Sequence, residues 1–129
     1  MQKILIVEDD FKMLDALKRN FTEEGFEVIT ARNGKDGLAK MKDDLPNIVL
    51  LDLLMPVMNG VDMLKEMKSN RATKDVPVIL LTNLEPDKLL LDQLEEYPPA
   101  FYLVKSNVDL DDVVNKVNDV LGNSPPSLE

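Results

Sequence analysis

The chain has 129 residues, 44% of them hydrophobic, and a formal net charge of −9 at pH 7. That length and composition call for one ordered globular domain, and the acidic balance excludes the basic surface that nucleic acids or anionic membranes require. Cysteine and histidine are absent, which excludes disulfides, thiolate catalysis, zinc–thiolate sites, His-based acid–base chemistry and a phosphohistidine carried by this chain.

Lys3-Ile4-Leu5-Ile6-Val7 reads as a strand buried on both faces, and it ends in Glu8-Asp9-Asp10. Phe11, Leu14, Leu17 and Phe21 then recur at helical spacing until Gly25. Phe26 to Thr30 is a weaker, more polar strand, expected near an edge. Asn33-Gly34 opens a second helix with Leu38, Met41 and Leu45 inward, and Pro46 stops it. Ile48 to Leu51 is a second fully apolar strand with Asp52 at its tip, and Pro56 forbids regular pairing beyond it. A third helix runs from about Gly60 to Ser69, with Leu64 and Met67 inward. After a polar stretch, Val76 to Thr82 reads as the fourth strand. Pro86 suits the first turn of a fourth helix carrying Leu90, Leu91 and Leu94, which Tyr97-Pro98-Pro99 breaks. Ala100 to Val104 is the fifth strand, followed by Lys105. Asp109 and Asp112 form a capping signature for a last helix with Leu110, Val113, Val114, Val117, Val120 and Leu121 on its apolar stripe.

Five strand–helix alternations call for an α/β fold, a doubly wound parallel sheet with helices on both faces. Residues 1–121 make that domain, and 122–129 have the composition of a flexible tail or linker remnant. The short apolar run at the N-terminus is no signal peptide, and no run approaches the ~18 apolar residues of a membrane span. A cytoplasmic location is expected.

In a parallel sheet the strand ends share one edge, so Glu8, Asp9, Thr30, Asp52, Thr82 and Lys105 are expected to converge. A carboxylate at the tip of an apolar strand is costly unless something uses it. Three carboxylates in one crevice need a cation, and oxygen-only ligands point to Mg²⁺. The pair of acidic tips reads as a metal-and-phosphate site.

Ile-Leu-Ile-Val-Glu-Asp-Asp, Leu-Asp-Leu-Leu-Met-Pro-Val-Met-Asn-Gly, Val-Ile-Leu-Leu-Thr and Tyr-Leu-Val-Lys closely resemble the receiver domain of two-component response regulators over residues 1 to about 121. The resemblance implies a flavodoxin-like sheet of order 2-1-3-4-5. It makes Asp52 the phosphoryl acceptor, and it has Glu8, Asp9, Asp52 and the backbone carbonyl of Leu54 hold Mg²⁺. It also gives Thr82 and Lys105 to the phosphoryl oxygens and makes Tyr102 the aromatic switch residue. The implied partners are a sensor histidine kinase or histidine phosphotransfer protein and a downstream output protein or domain. The chain would act as a monomer or weak dimer whose α4-β5-α5 face changes on phosphorylation. No enzyme activity is expected beyond self-catalysed transfer onto Asp52 and slow loss of the group.

The sequence departs from the family's pattern at three places. Ser106 stands where Pro usually follows the lysine, Asn83 where a small residue usually follows the threonine, and Tyr97-Pro98-Pro99-Ala100 replaces a Gly-Ala-rich entry to the fifth strand. Leu54 is apolar and cannot orient an attacking water, so a phosphorylated state lasting minutes to hours is expected. A phosphatase of the haloacid dehalogenase type would want Asp at position 54, and a flavin module would not place acids at 8–10. An interaction module working without phosphorylation is the remaining alternative.

Overall fold

The computed structural model of the protein describes residues 1–55 and 57–123. The expected break at Pro56 and the tail beyond Asn123 lie outside the described residues. Five parallel strands, β1 (Lys3–Val7), β2 (Glu27–Ala31), β3 (Ile48–Leu51), β4 (Val78–Thr82) and β5 (Phe101–Val104), pair in the order β2-β1-β3-β4-β5. The helices between them are α1 (Phe11–Glu23), α2 (Gly34–Asp43), α3 (Gly60–Lys68), α4 (Lys88–Glu96) and α5 (Leu110–Leu121).

The central strands are apolar apart from Lys3 at the start of β1 and Thr82 at the end of β4, because helices cover both faces of the sheet. Ile4, Ile6, Ile48, Leu50 and Ile79 pack against Leu17 and Phe21 of α1 and Val113 and Val117 of α5. Their alternates Leu5, Val7, Val49, Leu51 and Leu80 pack against α2, α3 and α4 through residues such as Met41, Met63, Leu64 and Leu90. No described helix is long and apolar enough to cross a membrane.

Local sequence accounts for each helix start. Asp10, Asn33, Asn59, Asp87 and Asp109 are the N-caps, each accepting a backbone N–H with its side chain, and Asp109 and Asp112 form a reciprocal capping box. Pro86 therefore precedes the cap of α4 instead of occupying its first turn, since Asp87 takes the capping role.

Several core expectations are corrected. Phe11 is 66% exposed because it begins α1 at the sheet edge, under the guanidinium of Arg32. Leu45 is 52% exposed, as it lies beyond the α2 C-cap Asp44, and Leu91 faces solvent between the buried Leu90 and Leu94. Phe26 is buried but lies outside β2; its ring meets Phe21 edge-on at 5.3 Å, and the strand begins one residue later. Strands β4 and β5 also start later than expected, at Val78 and Phe101.

Candidate functional site

Sheet register builds the site. Val7 lies opposite Leu51, so the next residues, Glu8 and Asp52, emerge side by side. Their backbones are still held: the Glu8 N–H donates to the Ala31 carbonyl and the Asp52 N–H to the Val7 carbonyl, both at 3.0 Å. Thr82 lies opposite Val104, so Lys105 leaves β5 directly beside the end of β4.

Glu8, Asp9 and Asp52 bring one carboxylate oxygen each within 4.8 Å of one another. Glu8 is 2% exposed and Asp52 is 5% exposed. Lys105 bridges them, its Nζ 2.6 Å from Glu8 Oε1 and 3.0 Å from Asp52 Oδ2. The second Glu8 oxygen accepts the Asp10 N–H at 3.1 Å, and Asp52 Oδ1 accepts the Leu54 N–H at 3.2 Å. Among the described residues, no buried side-chain polar atom lacks a partner.

Burial pushes the Glu8 carboxyl up, and the neighbouring charge of Asp52 adds to this; the Lys105 ammonium and the Asp10 N–H pull it down without cancelling the rise. For Lys105, burial acts to lower the pKa, but bonds to Glu8 and Asp52 and their charges prevail, so its ammonium is held above the usual lysine range. The site thus carries a surplus of negative charge over its one ammonium. That donor set, three carboxylates and no nitrogen or sulfur ligand, fits a hard divalent cation.

Thr82 is fully buried, and its Oγ accepts the Leu84 N–H at 3.3 Å. Tyr102 is half-buried on the α4 side of the sheet and donates its hydroxyl to the Leu84 carbonyl. The hydroxyls of Thr82 and Tyr102 therefore engage one residue, Leu84, the first at its N–H and the second at its carbonyl. Burial first, and the charges of Glu85 and Asp52 second, hold the Tyr102 phenol up in its neutral, donating form.

The expected residues do not all meet. Thr30 lies one step short of the edge, in register with Ile6, because β2 runs on to Ala31. Arg32 follows instead; its Nη2 donates to the Asp9 carbonyl at 3.2 Å, and its guanidinium lies 5.8 Å from the Phe11 ring centre. Sequence reading missed Arg32 because a one-residue error in the strand end hid it. It also missed how closely Gly60 approaches the acid: a Cβ there would lie 2.4 Å from the Asp52 carbonyl oxygen and 2.7 Å from Leu53 Cα. Asn-Gly at a helix start was the signal available for it.

A family model described as the response regulator receiver domain matches residues 4–118. The transcriptional regulatory protein CpxR of Klebsiella pneumoniae is 45% identical over 82 residues, covering 64% of this chain and 34% of that protein. The response regulator PleD of Caulobacter vibrioides is 39% identical over 83 residues, covering 64% of this chain and 18% of its own length. The chain thus spans about a third or less of the curated relatives it matches. Among solved structures, a response regulator receiver domain protein from Methanospirillum hungatei superposes with a TM-score of 0.86 at 28% identity, covering 95% of this chain and 94% of that one. The chemotaxis protein CheY4 of Vibrio cholerae gives 0.84 at 25% identity, covering 93% and 98%.

Proposed function

This chain belongs to the response regulator receiver domain family, and from that membership we propose that it takes a phosphoryl group onto Asp52 from a histidine kinase or histidine phosphotransfer protein. The observation that carries this reading is the buried Asp52 carboxylate beside Glu8 and Asp9 with Lys105 bridging Asp52 and Glu8. Buried acids in such a group are costly to the fold, so their retention needs a use.

In the proposed reaction a carboxylate oxygen of Asp52 forms a bond to phosphorus as the bond from phosphorus to the donor's imidazole nitrogen breaks. The product is an acyl phosphate, and the donor leaves as neutral imidazole because its other ring nitrogen already carries a proton. Phosphoryl transfer has a loose transition state, so the protein's part is positioning and charge neutralisation. Glu8, Asp9, Asp52 and the Leu54 carbonyl would hold Mg²⁺, which when bound neutralises charge on the phosphoryl oxygens. Lys105 exchanges its contact with Asp52 for the arriving phosphoryl oxygens and stays anchored to Glu8. Thr82 releases the Leu84 N–H to donate its hydroxyl to the phosphoryl group. Because Tyr102 holds the carbonyl of the same Leu84, that release loosens its anchor, and the face formed by α4, β5 and α5 changes for a partner. Such a change is a population shift driven by tighter phosphoryl contacts in one state.

The test is incubation with acetyl phosphate followed by intact mass. A Mg²⁺-dependent gain of one phosphoryl group in wild type, absent in Asp52→Asn, supports the reading. No gain with or without Mg²⁺ overturns it in favour of a receiver-fold interaction module.

A further inference from the structure

Asn83 follows Thr82 at the end of β4, and Ser106 follows Lys105 at the end of β5. Asn83 Oδ1 accepts the Ser106 backbone N–H at 3.0 Å. This bond crosses between two loops 23 residues apart and joins the residues next to the two side chains that meet the phosphoryl group. We infer that Asn83 is a positioning residue, whose side-chain carbonyl clamps the Lys105–Asn107 turn and so holds Lys105 against Asp52 and Glu8; this rests on the phosphoacceptor reading.

The physical reasoning is local. Lys105 begins a single 3₁₀ turn, Lys105–Asn107, that has no side-chain cap at its start. The N–H groups at the start of such a turn have no partner within it. Asn83 supplies one from the neighbouring strand. Both partners are exposed, so the bond is made in competition with water. Its value therefore lies less in global stability than in fixing where the backbone of the turn runs. A lysine has four rotatable bonds, and a fixed Cα position limits how many arrangements put its ammonium between two carboxylates. Only the N–H of Ser106 is used in the bond with Asn83, so the identity of the serine side chain is immaterial to it.

The test compares wild type, Asn83→Leu, Asn83→Ala and Ser106→Ala as full chains. Asn83→Leu keeps the bulk at the crevice mouth and removes the acceptor; Asn83→Ala removes both; Ser106→Ala keeps the N–H. Modification by acetyl phosphate in Mg²⁺ is followed over a range of donor concentrations. The expected result is that both Asn83 variants lose about tenfold in maximal rate, short of the hundredfold cost of a misplacement of about an ångström. Half-saturation by donor and Mg²⁺ affinity stay unchanged, since Glu8, Asp9 and Asp52 are intact. Ser106→Ala stays at the wild-type rate. Amide exchange at Ser106, read by NMR, rises in both Asn83 variants and not in Ser106→Ala.

Faster modification of Asn83→Ala together with slower modification of Asn83→Leu would overturn the clamp and make Asn83 a steric plug. Unchanged Ser106 exchange in Asn83→Leu, or variants that match a wild type that is itself modified, would overturn it too. A wild type that takes up no phosphoryl group at all fails the phosphoacceptor reading instead, a result distinct from either of these.

Discussion

Replacing Lys105 by Met removes the ammonium while keeping an unbranched chain of similar reach. At an effective dielectric of about 20, its attraction to Glu8 at 2.6 Å and Asp52 at 3.0 Å is about 6 and about 5.5 kcal/mol before the cost of desolvation. Carboxylate oxygens that lie within 4.8 Å of one another are left facing each other, with a repulsion of at least about 3.5 kcal/mol at the same dielectric. Breaking one partner out of a buried charge group costs about 3–5 kcal/mol net. Lys105 keeps a little solvent contact, so a loss of about 3 kcal/mol, at the lower end of that range, is expected at neutral pH without divalent ions. With a urea slope of about 1.5 kcal/mol per molar, the unfolding midpoint falls by about 2 M.

The pH dependence has a definite sign. Glu8 already has a raised pKa in the folded protein, and without Lys105 it rises further. A raised carboxyl favours the folded state while protonated, below its unfolded value, and loses that advantage as pH rises through the folded value. The deficit of the variant therefore shrinks on acidification toward the carboxylate range and is full at neutral pH. Saturating Mg²⁺ should raise the variant's midpoint by more than the wild type's, because the variant has the larger uncompensated negative charge. Urea unfolding in EDTA and in Mg²⁺, at neutral and acid pH, reads all of this. A variant within about 0.5 kcal/mol of wild type, the size of an ordinary surface change, would show that Lys105 does not neutralise the pocket.

Three further outcomes are expected. Gly60→Ala should destabilise by about 2 kcal/mol, since its Cβ would strike the backbone of Asp52 and Leu53; an ordinary helical glycine would instead gain from the change, so the sign measured by urea unfolding decides. Val57→Gly should stabilise by about 1 kcal/mol, because an exposed β-branched residue stands at φ 68°; unchanged or lower stability on unfolding would contradict it. Leu54→Asn, which supplies a polar side chain next to Asp52, should shorten the phosphorylated lifetime by about tenfold, well below the full value of an aligned general base. Decay of the wild type within seconds would contradict the role given to Leu54.

The acids and Lys105 were legible in sequence because an ionised residue ends the apolar pattern of the first, third and fifth strands, and because a parallel sheet must send its strand ends to one edge. Sheet order came through the family resemblance, since periodicity alone does not order strands. Register was illegible: nothing in Phe26-Glu27-Val28-Ile29-Thr30-Ala31 says whether the apolar Phe26 belongs to the strand or to the core beside Phe21. That single step displaced Thr30 from the site and hid Arg32. Leu45 and Leu91 failed for a related reason, as helical spacing does not tell where a cap stops the helix or how wide its buried stripe is. The bond between Asn83 and Ser106 was invisible because each residue, taken singly, reads only as a departure from the family's pattern.

Borohydride reduces an aspartyl phosphate to homoserine, which marks the acceptor permanently in a peptide map. Wild type treated with acetyl phosphate and Mg²⁺, then borohydride, should carry homoserine at position 52 alone, and the mark should disappear when Mg²⁺ is withheld. Homoserine at position 8 or 9, or at none of these positions, would contradict Asp52 as the phosphoryl acceptor.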